Sequence, residues 1–366
     1  MTARSKVLAS ATGLAAAAGA VGAARLHSFT RQLPFTTGED ERLTAATADG
    51  WNIDLHRYRP PAGVGRRPHP VVLGHGFAGS QLIWDLTPET SLARHLAASG
   101  YDTYTVDLRG RGASWPDGRP DRSLQWSFDD FVFHDLPTAV AAACVRSGAE
   151  QAFWVGLEMS GLAVYAAALS GTADRVRGAV TLGSPVLTPP TAHVPGVNSA
   201  PLMRLGGRVL FTAGSRLAGP ILAMTGSNQL ESSFRARNAD PVAVARYLTR
   251  GIPDESVVLA DQFKDWLDHG VMRNLDGTTT WSDQLHDITM PVLVMAAAHD
   301  LQRPADAIRA TFDALGSPDK RWVLAGTATG FSVDFGHDDL VAGRASAAEV
   351  FPLITSWLDA HCEEEP

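Results

Sequence analysis

The sequence predicts an α/β protein: a mostly parallel central sheet with helices on both faces and an inserted, mainly helical cap. Three observations carry this. Strand-like and helix-like segments alternate along most of the chain. The central strands, such as "PVVLGHGF" (70–77), "QAFWVGL" (151–157) and "MPVLVMAAAHD" (290–300), are continuous apolar runs, as strands covered on both faces are. The alternation stops between residues 187 and 289 and then resumes at once.

Each element has its own local cause. Residues 42–58, "RLTAATADGWNIDLHRY", alternate around Asp49-Gly50 and predict a two-stranded hairpin. The strand at 70–77 precedes a helix at 89–100 that ends at Gly100. "YDTYTVDLRGRG" (101–112) is a strand running into a glycine-rich loop. Ser127 to Asp130 reads as a capping box ahead of one helix through Ser147. Then come the strand at 151–157, the helix "MSGLAVYAAALSG" and the strand "RVRGAVTLGSPV". After the break follow the strand at 290–300, the helix "PADAIRATFDALG", the short strand "KRWVLAG" and a last helix, "SAAEVFPLITSWLDAH". The expected division is a core over 42–186 and 290–362, with a helical cap over 187–289. Within the cap, "DPVAVARYL" and "ADQFKDWLDHGVM" read as helices. A ligand site is expected at the carboxyl ends of the strands.

Composition narrows the function. The 366 residues are 45% hydrophobic and 19% charged, enough to bury a large core. A net charge of −8 offers no basic stripe for a nucleic acid. The two cysteines, Cys144 and Cys362, leave one disulfide open but require none. No zinc-ligand spacing and no dinucleotide fingerprint after the first strand occur, so neither a metal nor an organic cofactor is expected. At the N-terminus, Arg4 and Lys6 precede the uncharged run Val7–Ala24, with Ala18-Gly19-Ala20 as a small-residue cleavage site. Residues 1–28 thus read as a signal peptide or membrane anchor, and the chain as secreted or membrane-associated, with a cytoplasmic location as the alternative.

Four motifs fall after the strands. They are "HGFAGS" (75–80), "DLRGRGAS" (107–114), "VGLEMSG" (155–161), and "AHD" (298–300) paired with "FGHDDL" (335–340). In this order they resemble the α/β-hydrolase superfamily, in its lipase/esterase branch. "SLARHLAASGYDTYTVDLRGRG" and "GHDDLVAGRASAAEVFPLITSWL" are further similar to lipid-ester hydrolases of the acid-lipase kind. The resemblance implies a hydrolase of an apolar acyl ester or lipid-like substrate. It places Asp300 as the acid that orients a histidine, His337 as that histidine, and the N–H groups of Phe77 and Met159 as oxyanion donors. His75, Gly76 and Trp84 fall where substrate contacts are expected. Asp107 and Arg109 read as structural residues of their loop.

One position departs from the pattern. The elbow residue is Ser, Cys or Asp in the family, and here it is Glu158. Ser160 is no ready substitute, because two residues along a helix turn it by about 200°; it reads as a filler of the tight turn. Three readings of Glu158 stay open. It is a nucleophile, although Met159 replaces the tryptophan of dehalogenase-like relatives and the cap holds one tyrosine, Tyr247. Or it is a general base or electrostatic residue for other chemistry. Or it fills the oxyanion hole as an anion, paired with His337, in an inactive protein that binds a hydrophobic ligand.

Overall fold

The computed structural model describes residues 22–118, 125–187, 204–205 and 208–362. The expected leader lies outside the described residues as far as residue 21, as does the "TPPTAHVPG" stretch of the expected cap. No described helix is long and apolar enough to cross a membrane.

The predicted hairpin forms as β1 (Glu41–Ala46) and β2 (Asn52–Tyr58), antiparallel, with Gly50 at φ +89° in its turn. The chain continues through β3 (Val71–Gly74), α1 (Leu92–Ala98) and β4 (Thr103–Asp107). Next come α2 (Leu136–Ser147), β5 (Ala152–Leu157), α3 (Met159–Leu169) and β6 (Val176–Leu182). Then follow α4 (Thr212–Thr225), α5 (Pro241–Arg246) and α6 (Val257–His269). The last elements are β7 (Val292–Ala297), α7 (Ala305–Ala314), β8 (Lys320–Ala325) and α8 (Phe351–Ala360).

The eight strands form one sheet in the order β1-β2-β4-β3-β5-β6-β7-β8. β2 pairs antiparallel with β1 and β4, and every pair from β4 to β8 is parallel. β3, β4, β5 and β7 are buried along their whole length, which explains the unbroken apolar runs of β3, β5 and β7. Edge strand β1 instead alternates half-buried and exposed residues. An apolar layer lies on each face of the sheet, one including residues of α2 and α3 and the other residues of α1 and α8.

Two predicted helices are broken, and each break has a proline. The segment from Ser127 is one helical turn, then a π-helical turn over Phe131–Asp135, then α2. Pro137 in the first turn of α2 has no N–H to donate back, so the regular ladder cannot run through it. The Asp130 carboxylate accepts from the Ser127 N–H at 2.7 Å, as its box spacing predicts. The final helix likewise splits into Ser346–Glu349 and α8, with Pro352 in the first turn of α8.

Between β6 and β7 lie α4, α5, α6 and a small antiparallel sheet of Arg204–Leu205, Arg208–Val209 and Glu255–Ser256. The helix predicted from Ala260 starts three residues earlier, where the Ser256 side chain accepts from the Val258 and Leu259 N–H groups. Cys144 and Cys362 are both buried and free.

Candidate active site

Glu158 joins β5 to α3 with φ 49° and ψ −106°, a conformation that strains any residue bearing a Cβ. Its neighbours impose that turn. The Glu158 N–H donates to the Leu182 carbonyl on β6 at 2.8 Å, and its own carbonyl opens α3 by accepting from Gly161 at 3.0 Å. Only small residues fit around it. A Cβ on Gly156 would lie 2.5 Å from the Gly161 nitrogen, and one on Gly161 would lie 2.1 Å from Ser184 Oγ. The Ser160 hydroxyl donates to the His75 carbonyl, behind the elbow.

The Glu158 carboxylate is buried and fully engaged. Oε2 accepts from the Phe77 N–H at 2.6 Å, and Oε1 is paired with the Arg303 guanidinium. Asp300 organises both partners of the site. Its Oδ2 lies 2.6 Å from His337 Nδ1, while Oδ1 accepts from the N–H groups of Gln302 at 2.8 Å and Arg303 at 2.7 Å. One carboxylate therefore orients the histidine and fixes the turn that carries Arg303.

Charge follows from this geometry. Burial works against ionised Glu158, but Arg303, His337 and the Phe77 N–H hold its carboxyl below the ordinary value. Burial likewise works against a charged His337 ring; the charge and hydrogen bond of Asp300, with Asp338 and Glu158, nevertheless push it up to about 9. At neutral pH the site thus holds an ionised Glu158 and a protonated His337. Burial pushes neighbouring Asp338 and Asp339 up to about 7.

Part of this site opens on a cavity of about 380 Å³, within the usual range for small-molecule sites. Its polar end carries Glu158, Arg303, His337 and Asp338. Its apolar wall includes Phe77 from the core and Phe211, Phe234, Leu248 and Ile252 from the inserted segment. Buried Tyr247 also lines it.

The structure therefore brings together Glu158, Asp300, His337, Phe77 and Gly76; a Cβ on Gly76 would sit 3.2 Å from Glu158 Oε2. It separates two others, His75 and Trp84, from their expected roles. His75 is fully buried: its Nδ1 lies 2.9 Å from the Gly76 carbonyl, and its Nε2 accepts from the Leu108 N–H at 3.2 Å. That ring ties two loops together and, held well below its ordinary pKa by burial, stays neutral. Trp84 is fully buried in the apolar layer and does not line the cavity. Phe77 supplies the backbone donor to the Glu158 carboxylate, and Met159 follows Glu158 as the first residue of α3. The expected Glu158–His337 pair is replaced as well, because Arg303 reaches the carboxylate while His337 Nδ1 turns to Asp300. Sequence reasoning missed Arg303, whose one signal is a basic residue three positions after Asp300.

A second cluster joins Asp54, His56 and Asp107, all buried, with ligand atoms within 4.8 Å of one another. Its spacing hides it in the sequence: Asp54 and Asp107 meet as direct cross-strand partners of β2 and β4. His56 Nε2 lies 3.1 Å from Asp54 and the Gln81 N–H donates to Asp107 at 2.8 Å, so the cluster is tied into the fold by the protein's own hydrogen bonds.

An eight-stranded sheet of this order, a strained elbow and an Asp–His pair behind the strand ends define a lipase/esterase-like α/β-hydrolase. Residues 70–328 match the serine aminopeptidase S33 family, and the chain belongs to it. Among characterised relatives, mouse lipase member K is 34% identical over 124 residues, 32% of this chain and 31% of that protein. The PhaC subunit of the poly(3-hydroxyalkanoate) polymerase of Allochromatium vinosum is 25% identical over 319 residues, 83% of this chain and 85% of that one. The chain thus spans about a third of the lipase and most of PhaC. Among solved structures, a soluble variant of the Saccharomyces cerevisiae monoglyceride lipase aligns with TM-score 0.57 and 19% identity, over 91% of this chain and 98% of that one.

Proposed function

We propose that this chain hydrolyses apolar acyl esters with Glu158 in the nucleophile's place. The observation that carries this reading is the pairing, across one cavity, of an ionised carboxylate at the elbow with a protonated His337 oriented by Asp300. An ionised carboxylate needs no base to attack. Glu158 adds to the ester carbonyl carbon, and the bond to the alcohol oxygen breaks as His337 delivers its proton there. The acyl group is left as an anhydride on Glu158. Water then attacks the acyl carbon and neutral His337 takes a water proton, which releases the acid and restores both charges. As Glu158 turns toward the substrate, Phe77 N–H and Arg303 become free to hold the developing oxyanion. The lipase relatives and the apolar cavity wall support an acyl ester as the substrate class.

A second reading is favoured by the 2.6 Å bond from Phe77 to Glu158. The carboxylate occupies the donor that a substrate carbonyl needs, and a site locked in that state binds a hydrophobic ligand without turning it over. Hydrolysis of butyryl and octanoyl nitrophenyl esters by wild type, Glu158→Gln, Glu158→Ser and His337→Ala separates the two. Activity in wild type, lost in Glu158→Gln and His337→Ala, with a hydroxylamine-trapped acyl group, supports the nucleophile. A silent wild type with an active Glu158→Ser supports the binder. Silence in every variant overturns the ester reading.

A further inference from the structure

Residues 232–238 of the inserted segment meet the turn after Asp300 on one side and the His337 loop on the other, and the contacts close a ring. Asp300 Oδ1 accepts from the Gln302 N–H at 2.8 Å. The Gln302 side-chain amide donates to the Ser232 carbonyl and to Ser233 Oγ, both at 2.8 Å. The Ser233 carbonyl accepts from the Asp338 N–H at 2.9 Å, and His337, the residue before Asp338, returns to Asp300 Oδ2. On the other side of His337, the Gly336 N–H donates to Asp339 Oδ2 at 2.9 Å. That oxygen also accepts from Asn238 Nδ2 at 2.9 Å, and the same amide donates to the Asp334 carbonyl at 2.8 Å. Asn238 and Asp339 are both buried, where a lost hydrogen bond is not made good by bulk water.

We propose that Asn238 and Gln302 are positioning residues for His337, so that the inserted segment completes the Asp300–His337 pair as well as walling the cavity. Each acts through a neighbour. Gln302 holds Ser233, which fixes the backbone of Asp338; Asn238 holds Asp339, which fixes the backbone of Gly336. The chain is thus pinned immediately before and immediately after His337. A histidine is only as well placed as the loop that carries it, and a displacement of about 1 Å is enough to cost about a hundredfold in rate. The consequence for turnover rests on the hydrolysis proposed above; the placement of His337 does not.

The test reads the His337 ring directly, by NMR titration of the folded full chain, with thermal melts run alongside. In wild type, Asp300 raises the ring to about 9 against burial. Asn238→Leu and Gln302→Met stay close to the native shapes and remove the amides. Each should lower the ring's pKa by at least about one unit, a tenfold loss of proton affinity, as contact with Asp300 loosens. A change in stability alone leaves the pKa of the folded state where it is. Gln302 sits on a half-buried turn, so Gln302→Met keeps the test open should Asn238→Leu not fold. On nitrophenyl butyrate, Asn238→Leu should lower kcat at least about tenfold with KM within about twofold, because the lost contacts support the histidine rather than the bound ester. A His337 pKa unchanged in both variants overturns the positioning role. A shifted pKa with no ester hydrolysis in wild type removes the ester reading alone; hydrolysis in wild type, with ring and rates unchanged in the variants, removes the positioning alone.

Discussion

Arg303 and Glu158 form a buried ion pair over the elbow, and the Arg303 backbone is fixed by the same Asp300 that orients His337. The pair predicts a coupled stability effect. Arg303→Met leaves the Glu158 charge with only the Phe77 N–H and nearby His337, so it should destabilise by about 3–5 kcal/mol. Glu158→Gln keeps the shape and should cost less. The double variant should fall short of the sum of the two by more than about 1 kcal/mol in chemical denaturation. Simple additivity would mean that the two side chains do not meet.

The charge states predict a pH profile. His337 sits at about 9 in the fold against an ordinary 6.5. If Glu158 attacks and protonated His337 serves the leaving group, turnover is level through neutral pH and falls as pH passes 9. A histidine acting only as base toward water would give the opposite slope, rising to 9. Initial rates from pH 5 to 10 decide between these.

Stability should follow the same group. A histidine raised in the fold contributes fully below pH 6.5 and loses that contribution as pH rises through 9. Asp338, raised from 3.8 to about 7 by burial, opposes the fold increasingly across that interval. Glu158, lowered from 4.5, supports the fold above that value and ceases to as pH falls through its folded pKa. Thermal melts should therefore decline from pH 6.5 to 9, and His337→Gln should flatten that decline.

The sheet was legible because its signals are local and repeated: apolar runs for β3, β5 and β7, Gly50 for the hairpin turn, and a run of small residues for α3. Asp300 and His337 were legible because the fold delivers them at strand ends. Arg303 was not, since its partner lies 145 positions away in sequence and only the 300–303 turn aims it. Trp84 misled for a complementary reason: an aromatic residue near a site loop is read as a contact until packing shows which way it faces, and this one faces the core. The prolines at 137 and 352 were visible, but an apolar pattern running through them outweighed them.

The inserted segment grips the loop after β3 through Glu255, which is fully buried and paired with fully buried Arg111. Its Oε2 also accepts from the Ala78 N–H at 3.2 Å, next to Phe77, and its Oε1 from Trp126 Nε1 at 2.9 Å. Ala78 has φ 49°, so the loop needs outside support. Glu255→Ala strands the Arg111 charge and should destabilise by about 3–5 kcal/mol. It should also weaken ligand binding in the cavity as Phe77 loses its neighbour's anchor. A loss of stability with ligand affinity unchanged would show that the loop holds itself.

Ser160 supplies the sharpest contrast with Glu158, because the two compete for the same catalytic title. Its hydroxyl points to the His75 carbonyl, and a Cβ on Gly74 would lie 2.7 Å from its Oγ, so it is wedged against β3 rather than turned to the cavity. Ser160→Ala removes one hydrogen bond and should cost about 1 kcal/mol, with rates within about twofold of wild type. Gly156→Ala, in contrast, drives a methyl into the Gly161 nitrogen and the Ser160 carbonyl carbon, each 2.5 Å away. Backbone cannot yield there without unwinding the first turn of α3, so this variant should lose both stability and ligand binding. If Ser160→Ala instead abolished turnover while its melting temperature held, the nucleophile would be the serine and the role given to Glu158 would fall.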